Sequence, residues 1–145
     1  MQIKQLQIHL NKFQALKGNW IVKKRIKKNI SVKGYCVIKI SSKYSYELKE
    51  NIETNIDNKL ISGYQIFEIF ESKNNINFYL NNGNNKKKNA YNFKKNELYQ
   101  SLYFCKKDLY LSQLKIISKN FFTIFTKIKG PKKNFCILAN YYRTI

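Results

Sequence analysis

The stretch LKGNWIVKK, residues 16–24, marks the point at which the hydrophobic pattern of this chain changes. Before it, apolar residues recur every three or four positions, which is the spacing of one face of an α-helix. These residues are Ile3, Leu6, Leu10, Phe13 and Leu16. Gly18 stands where a glycine would end such a helix, and after Trp20 apolar and polar residues alternate. The sequence therefore predicts a short N-terminal helix that is followed by β-structure from Trp20 onward.

Period-two alternation recurs along the rest of the chain. It is clear in residues 36–41, 44–48, 76–80, 98–104, 121–128 and 135–141. These runs are rich in β-branched and aromatic residues, and asparagine-rich turns separate several of them. Pro131 lies in a turn between the last two runs, where it removes no ladder hydrogen bond. We therefore predict a mainly β fold, an antiparallel meander of about eight or more strands that closes into a barrel and leaves few edges.

Length and composition limit the architecture and the compartment. With 145 residues, the chain is predicted to form one domain over residues 1–145. No apolar run approaches the length that spans a membrane, and no signal-peptide pattern is visible. The three cysteines, Cys36, Cys105 and Cys136, lack metal-ligand spacing. We therefore predict reduced thiols, a reducing compartment and no bound metal.

The formal net charge of +20 raises the question of a nucleic-acid partner, because cations neutralise phosphates. Nearly all of the basic residues are lysines, and the only arginines are Arg25 and Arg143. Recognition of bases and phosphates favours the planar fork of arginine. The chain is also enriched in Asn, Ile, Tyr and Phe, which share AT-rich codons with Lys. A solvated basic surface is therefore favoured over a nucleic-acid interface.

Two features at opposite ends of the chain resemble lipocalin-like barrels. Those barrels have a Gly-x-Trp motif at the start of the first strand, here Gly18 to Trp20, and an arginine in the last strand, here Arg143. The resemblance implies a structural closure pair in which Arg143 covers Trp20. A guanidinium over an indole contributes about 0.5–2 kcal/mol, depending on its desolvation.

Three further segments, taken in order, resemble the S-type phycobiliprotein (bilin) lyases of the CpcS/CpeS family. The segment FQALKGNW, residues 13–20, is similar to the junction between helix and first strand in that family. The segment LYFCKKDLYLSQ, residues 102–113, is similar to its Leu-Trp-Phe…Asn-Leu-Arg-Leu-Arg-Thr strand pair, and the ending NYYRTI, residues 140–145, to its closing strand. Residues 42–95 match only as generic strands.

The resemblance implies a bilin lyase in a lipocalin-like closed antiparallel β-barrel with a short N-terminal helix. Such a protein binds an open-chain tetrapyrrole, such as phycocyanobilin or phycoerythrobilin, and attaches it to a cysteine of a phycobiliprotein subunit. The implied partners are the bilin and that subunit, with no membrane and with a homo- or heterodimer as an option. The implied location is a plastid stroma, as for a divergent plastid-encoded homologue, with a cyanobacterial cytoplasm as the alternative.

The resemblance also nominates residues for the site. Lys24 aligns with an arginine of the family, with Arg25 one position on, so both are assigned to the bilin propionates. Gln100 stands where the family has a glutamate, and it is assigned as the catalytic residue that accepts pyrrole N–H groups. Tyr110 replaces an arginine and Asp108 an asparagine, and both are assigned to bilin binding.

Aromatic residues complete the predicted site. Phe67 and Tyr103 are assigned to stack against the bilin, beside Tyr110. Gln100 shares one face of its strand with Leu98, Leu102 and Phe104, and we expect that face to line the barrel interior. The cavity is expected to open near Arg25 and residues 81–89.

Two other functions stay open from the sequence. One is a lipocalin-like carrier of bilin that lacks the transfer chemistry. The other is a basic β-barrel that binds nucleic acid in an organelle. Binding of free bilin distinguishes the first of these from the second, and transfer to an acceptor subunit distinguishes a lyase from a carrier.

Overall fold

The computed structural model describes residues 12–27, 29–81, 87–96 and 99–144, and most of these residues lie in antiparallel β-strands. The strands are β1 (Gly18–Ile26), β2 (Ile30–Ser42), β3 (Ser45–Ile56), β4 (Lys59–Glu71), β5 (Asn75–Asn81), β6 (Lys87–Lys94), β7 (Gln100–Cys105), β8 (Asp108–Ser118), β9 (Phe121–Lys129) and β10 (Asn134–Arg143). Strands that follow one another in the chain pair with each other, with the exception of β6 and β7. The first strand, β1, also pairs with the last, β10. The predicted antiparallel barrel is confirmed.

The barrel is nearly closed, with one seam between β6 and β7. These strands end the ten-stranded sheet, and no ladder joins them in the described part of the chain. A side chain bridges the seam instead, because the backbone N–H of Asn92 in β6 donates to Ser101 Oγ in β7 at 2.8 Å. We predicted a fully closed barrel, whereas the structure has a barrel with one gap in its backbone hydrogen bonding, between β6 and β7.

The N-terminal segment differs from the predicted α-helix. Its described part is a 3₁₀ helix at Phe13–Leu16, while Ile3, Leu6 and Leu10 lie outside the described residues. Gly18, with φ of 137°, is the first residue of β1, and Lys17 alone separates it from the helix, which is four residues long. Phe13 and Leu16 are fully buried and plug one end of the barrel. No helix among the described residues is long and apolar enough to cross a membrane.

Glu71, at the end of β4, holds the 3₁₀ helix in the barrel. Its buried carboxylate accepts hydrogen bonds from the backbone N–H groups of Lys12 and Phe13, each at 3.0 Å. It also accepts from Tyr46 Oη at 3.3 Å and from the ammonium of Lys95. A charged group is tolerated in this position because hydrogen bonds and an opposite charge replace its water.

Trp20 and Arg143 meet where the first and last strands pair. Trp20 is fully buried, and its Nε1 donates to the carbonyl oxygen of Leu16 at 2.8 Å. The Cζ atom of Arg143 lies 4.5 Å from the centroid of the indole ring. The guanidinium also donates to the carbonyl oxygens of Ala15, Lys17 and Lys119 at 2.6, 2.7 and 2.8 Å. Arg143 therefore joins the N-terminal segment, the turn before β9 and the end of β10.

Replacement of Arg143 by lysine is expected to lower the free energy of unfolding by about 1–2 kcal/mol, because one ammonium nitrogen cannot reach the three carbonyl oxygens that three separate guanidinium nitrogens contact. Urea denaturation measures the change. Arg25→Lys alters the other arginine of the chain, which is exposed on β1, and is the matched control. We expect the control to change stability by less than about 0.5 kcal/mol. Equal effects of the two substitutions would contradict the proposed role of Arg143.

Candidate ligand-binding site

The barrel interior is divided into a packed half and a hollow half. Trp20, Tyr46 and Phe122 belong to the core that fills the half next to the 3₁₀ helix. The other half contains a cavity of about 590 Å³, to which every strand contributes a side chain. The aromatic residues of its lining are Phe67, Phe78, Tyr91, Tyr103, Tyr110 and Tyr141. A cavity of this size with a mostly aliphatic and aromatic wall is typical of a site for a small organic molecule.

A buried carboxylate organises one side of the cavity. Glu50 of β3 is fully buried behind the lining, and it accepts hydrogen bonds from Lys24 Nζ at 2.7 Å and from Tyr141 Oη at 2.8 Å. Lys24 and Tyr141 both line the cavity. Burial and then the charge of Glu50 raise the pKa of Tyr141 well above its usual range. The phenol therefore stays protonated, and Glu50 fixes the position of both cavity-facing groups.

Hydroxyl groups from β8 and β9 form a second polar cluster in the cavity wall. Ser112 Oγ of β8 and Thr126 Oγ1 of β9 lie 2.9 Å apart, and both residues line the cavity. Tyr91 of β6 lines it as well. Burial raises the pKa of Tyr91, the charge of Glu50 adds to the shift, and a hydrogen bond with Thr126 opposes it. Neutral donors and acceptors are thus available to a ligand that enters between the aromatic side chains.

The structure brings together some of the residues that the sequence nominated. Lys24, Phe67, Tyr103 and Tyr110 all line the cavity, and the rings of Tyr103 and Tyr110 have centroids 5.9 Å apart.

Two nominated residues lie elsewhere. Arg25 is exposed on β1 and lines grooves on the outer surface. Asp108 is outside the cavity lining at the start of β8, where its Oδ2 lies 3.5 Å from Lys133 Nζ. Lys24 reaches the cavity already paired with Glu50, so its charge is largely neutralised there.

The predicted inner face of β7 is corrected by the structure. Ser101 is 3% exposed, and Tyr103 and Cys105 line the cavity, so these residues face inward. Leu102 and Phe104 are 58% and 67% exposed, so the face that Gln100 shares with them is the outer one. Gln100 is outside the cavity lining and pairs in register with Gln113 of β8. Leu98, the other residue assigned to that face, lies outside the described residues.

Sequence reasoning missed Glu50 and Tyr141. A signal for Glu50 was present, because it continues the inward alternation of Tyr46 and Leu48 on β3. A carboxylate in phase with buried residues requires an internal partner. Tyr141 follows Ala139 in the same way on β10.

Lysines surround the end of the barrel that contains the cavity. The turns at this end carry Lys27, Lys106, Lys107, Lys132 and Lys133, and the exposed Lys88 belongs to the lining itself. We call this end the mouth. Residues 82–86, in the loop expected at the rim, lie outside the described residues. Clustered cations at a cavity entrance attract anionic ligands. No cluster of His, Cys, Asp or Glu suited to a metal ion occurs in the described part of the chain.

Comparison with known proteins gives a family and a fold. Residues 16–143 match the profile described as "Family of unknown function (DUF6314)". The S-type phycobiliprotein lyase CPES from Guillardia theta is similar in structure, with a TM-score of 0.61 and 9% identity over 93% of this chain and 92% of that chain. No curated protein matches the sequence.

Designed barrels are also similar. A fluorescence-activating β-barrel of de novo design gives a TM-score of 0.52 and 11% identity over 90% of this chain and 95% of that chain. The barrel EF1p2_mFAP2b, bound to DFHBI, gives a TM-score of 0.52 and 12% identity over 94% of this chain and 99% of that chain. At identities of 9–12%, these comparisons show that the chain shares a barrel fold with the S-type lyase and with the designed barrels.

Proposed function

This chain belongs to the DUF6314 family of unknown function, and we propose that its barrel binds an open-chain tetrapyrrole, a bilin, and delivers it to a phycobiliprotein subunit. The observation that carries the proposal is the cavity of about 590 Å³, which combines six aromatic side chains, buried polar groups and a basic mouth. The likeness of the fold to an S-type phycobiliprotein lyase supports the choice of ligand class.

The lining suits the chemistry of a bilin. Pyrrole rings are flat and largely apolar, so they can stack against Phe67, Tyr103 and Tyr110. Ring N–H and lactam C=O groups need neutral acceptors and donors, which the Ser112 and Thr126 hydroxyls supply. The two propionates are anions, and the lysines of the mouth are the cations available to them.

The transfer step requires little chemistry from the chain itself. The sulfur of the acceptor cysteine adds to a conjugated C=C bond of the bilin side chain, forming a C–S bond, and the thiol proton ends on a bilin carbon. No group leaves and no oxidant is needed. The barrel contributes by holding the bilin in one orientation. Cys36 does not compete as a nucleophile, because burial raises the pKa of its thiol far above neutrality.

Absorbance spectroscopy tests the proposal in two stages. Free phycocyanobilin or phycoerythrobilin is titrated with the protein, and a saturable spectral change at one bilin per chain is expected. An apo-phycobiliprotein subunit is then added, and colour that stays with the subunit after denaturation reports transfer. Saturable binding without transfer supports a carrier in place of a lyase. An unchanged spectrum overturns the proposal. A role with this partner would place the protein in a plastid stroma or a cyanobacterial cytoplasm.

Tyr103→Ala and Tyr110→Ala are each expected to weaken bilin binding about tenfold, because each removes an aromatic face from the cavity wall. The Kd from the spectral titration measures the loss. Gln100→Leu is the control on the same strand as Tyr103, and its outward position predicts an unchanged Kd. A larger effect of Gln100→Leu than of Tyr103→Ala would mean that the ligand lies outside this cavity.

A further inference from the structure

The outer surface of β7 and β8 carries exposed apolar side chains where a water-facing strand normally carries polar ones. Leu102 pairs directly with Leu111, and Phe104 pairs with Leu109. Leu102, Phe104 and Leu111 are exposed. We call these three residues, with the neighbouring exposed pair Phe125 and Leu138 on β9 and β10, the outer patch. Contiguous apolar patches of this kind mark interaction sites on soluble proteins.

The outer patch has a cationic border. Lys106 and Lys107 form the turn between β7 and β8, directly after Phe104 and Cys105. On the other side, Lys127 and Lys129 of β9 pair in register with Leu111 and Leu109. Asp108, the acidic residue of this hairpin, is already beside Lys133. An apolar centre with a charged border is the usual composition of a protein–protein interface.

The charge of the border determines which partner fits. The chain carries a formal net charge of +20, so a second copy would bring more lysines against the same border. Nucleic acid would neutralise the lysines but would leave Leu102 and Leu111 without an apolar partner. An acidic protein with an apolar patch complements both the centre and the border.

The outer patch lies on the reverse side of a strand that lines the cavity. On β7, Leu102 and Phe104 face outward, whereas the alternate residues Tyr103 and Cys105 line the cavity. The same strand forms one side of the β6–β7 seam, and its end reaches the mouth. A protein seated on the outer patch is therefore separated from the cavity by the thickness of one strand.

We propose that the outer patch is the docking surface for the acidic acceptor protein to which the ligand is delivered. This inference rests on the proposed function, and it adds the location and the chemistry of the acceptor interface. Docking at the rim of β7 and β8 presents the acceptor cysteine at the mouth, while the body of the bilin stays within the barrel.

Two sets of variants test the docking surface. Leu102→Ser combined with Phe104→Ser removes the apolar centre, and Lys127→Glu combined with Lys129→Glu reverses the part of the border that lies on β9, away from the lysines of the mouth. Leu60→Ser combined with Tyr64→Ser is the matched control, because both side chains are exposed and alternate with the inward residues of β4, so they lie on its outer surface. The probe is an immobilised apo-phycobiliprotein subunit, and bilin affinity is measured in parallel by absorbance.

We expect both outer-patch variants to weaken subunit binding at least about tenfold with the Kd for bilin unchanged, and the control to change either Kd by less than about twofold. Added salt is expected to weaken the parent interaction. Equal subunit binding by parent and variants overturns the docking surface. The docking surface is also overturned if the variants keep subunit binding but lose another interaction. That interaction could be self-association, binding to phosphatidylserine vesicles or binding to single-stranded DNA.

The two proposals fail in different ways. If the protein binds bilin and the outer-patch variants bind the subunit as well as the parent does, only the docking surface is overturned. Outer-patch-dependent subunit binding with an unchanged bilin spectrum overturns the ligand assignment and supports the interface.

Discussion

Glu50→Ala is expected to lower the free energy of unfolding by about 3–5 kcal/mol, which is the usual cost of removing one partner of a buried ion pair while the other stays. The substitution leaves the Lys24 ammonium without the carboxylate that it contacts at 2.7 Å. It also removes the acceptor of the Tyr141 hydroxyl and opens a void behind the cavity wall. Urea denaturation, followed by far-UV circular dichroism, measures the change.

Two further variants separate the effect of pairing from that of burial. Glu47→Ala breaks the Glu47–Lys49 pair, which lies at 3.5 Å on the exposed side of the same strand, and is expected to cost less than about 1 kcal/mol. Glu50→Leu combined with Lys24→Met removes both buried charges, and should recover most of the stability lost in Glu50→Ala. If Glu50→Ala costs no more than Glu47→Ala, the carboxylate is hydrated and the cavity wall is not organised as described.

The fold was accessible from the sequence because its strongest signals are local. Alternation with a period of two assigns strands without knowledge of their neighbours. The pairing of Trp20 with Arg143 followed from a family resemblance, and the register places these residues opposite each other. The β6–β7 seam was not predictable, since the absence of a ladder depends on the curvature of the whole barrel. The 3₁₀ helix depends similarly on Glu71, which lies 58 residues from Phe13 in the chain.

The site was predicted only in part, because β7 reverses the usual pattern of polarity. Hydrophobic alternation assigns the apolar face of a strand to the interior. On β7 the apolar residues Leu102 and Phe104 face outward, and Ser101 and Tyr103 face the cavity. Gln100 was therefore assigned to the wrong face. The same exposed apolar residues that misled the assignment form the surface proposed for the acceptor protein.

Among the glycines that the structure describes, Gly34 is the one where an added Cβ atom would overlap backbone atoms of a neighbouring strand. It lies inside β2, between its register partners Val22 of β1 and Ile52 of β3. A Cβ atom at Gly34 would overlap the carbonyl oxygen of Asn51 and lie 2.8 Å from Ile52 Cα, and both are backbone atoms. A glycine at such a place lets the backbone of a neighbouring strand approach where a barrel sheet bends.

Gly34→Ala is therefore expected to lower the free energy of unfolding by about 3 kcal/mol, at the upper end of the cost of overpacking, because backbone atoms cannot rotate away from the methyl group. Gly63→Ala is the matched control: it faces the same residue, but its Cβ would lie 3.2 Å from Ile52 Cγ1, an atom of a flexible side chain. We expect the control to change stability by less than about 1 kcal/mol in urea denaturation. Equal stability of the two variants would show that β3 can move away from Gly34. The close approach of β2 and β3, and with it the shape of the cavity wall beside Val32 and Ile52, would then be less constrained than the structure indicates.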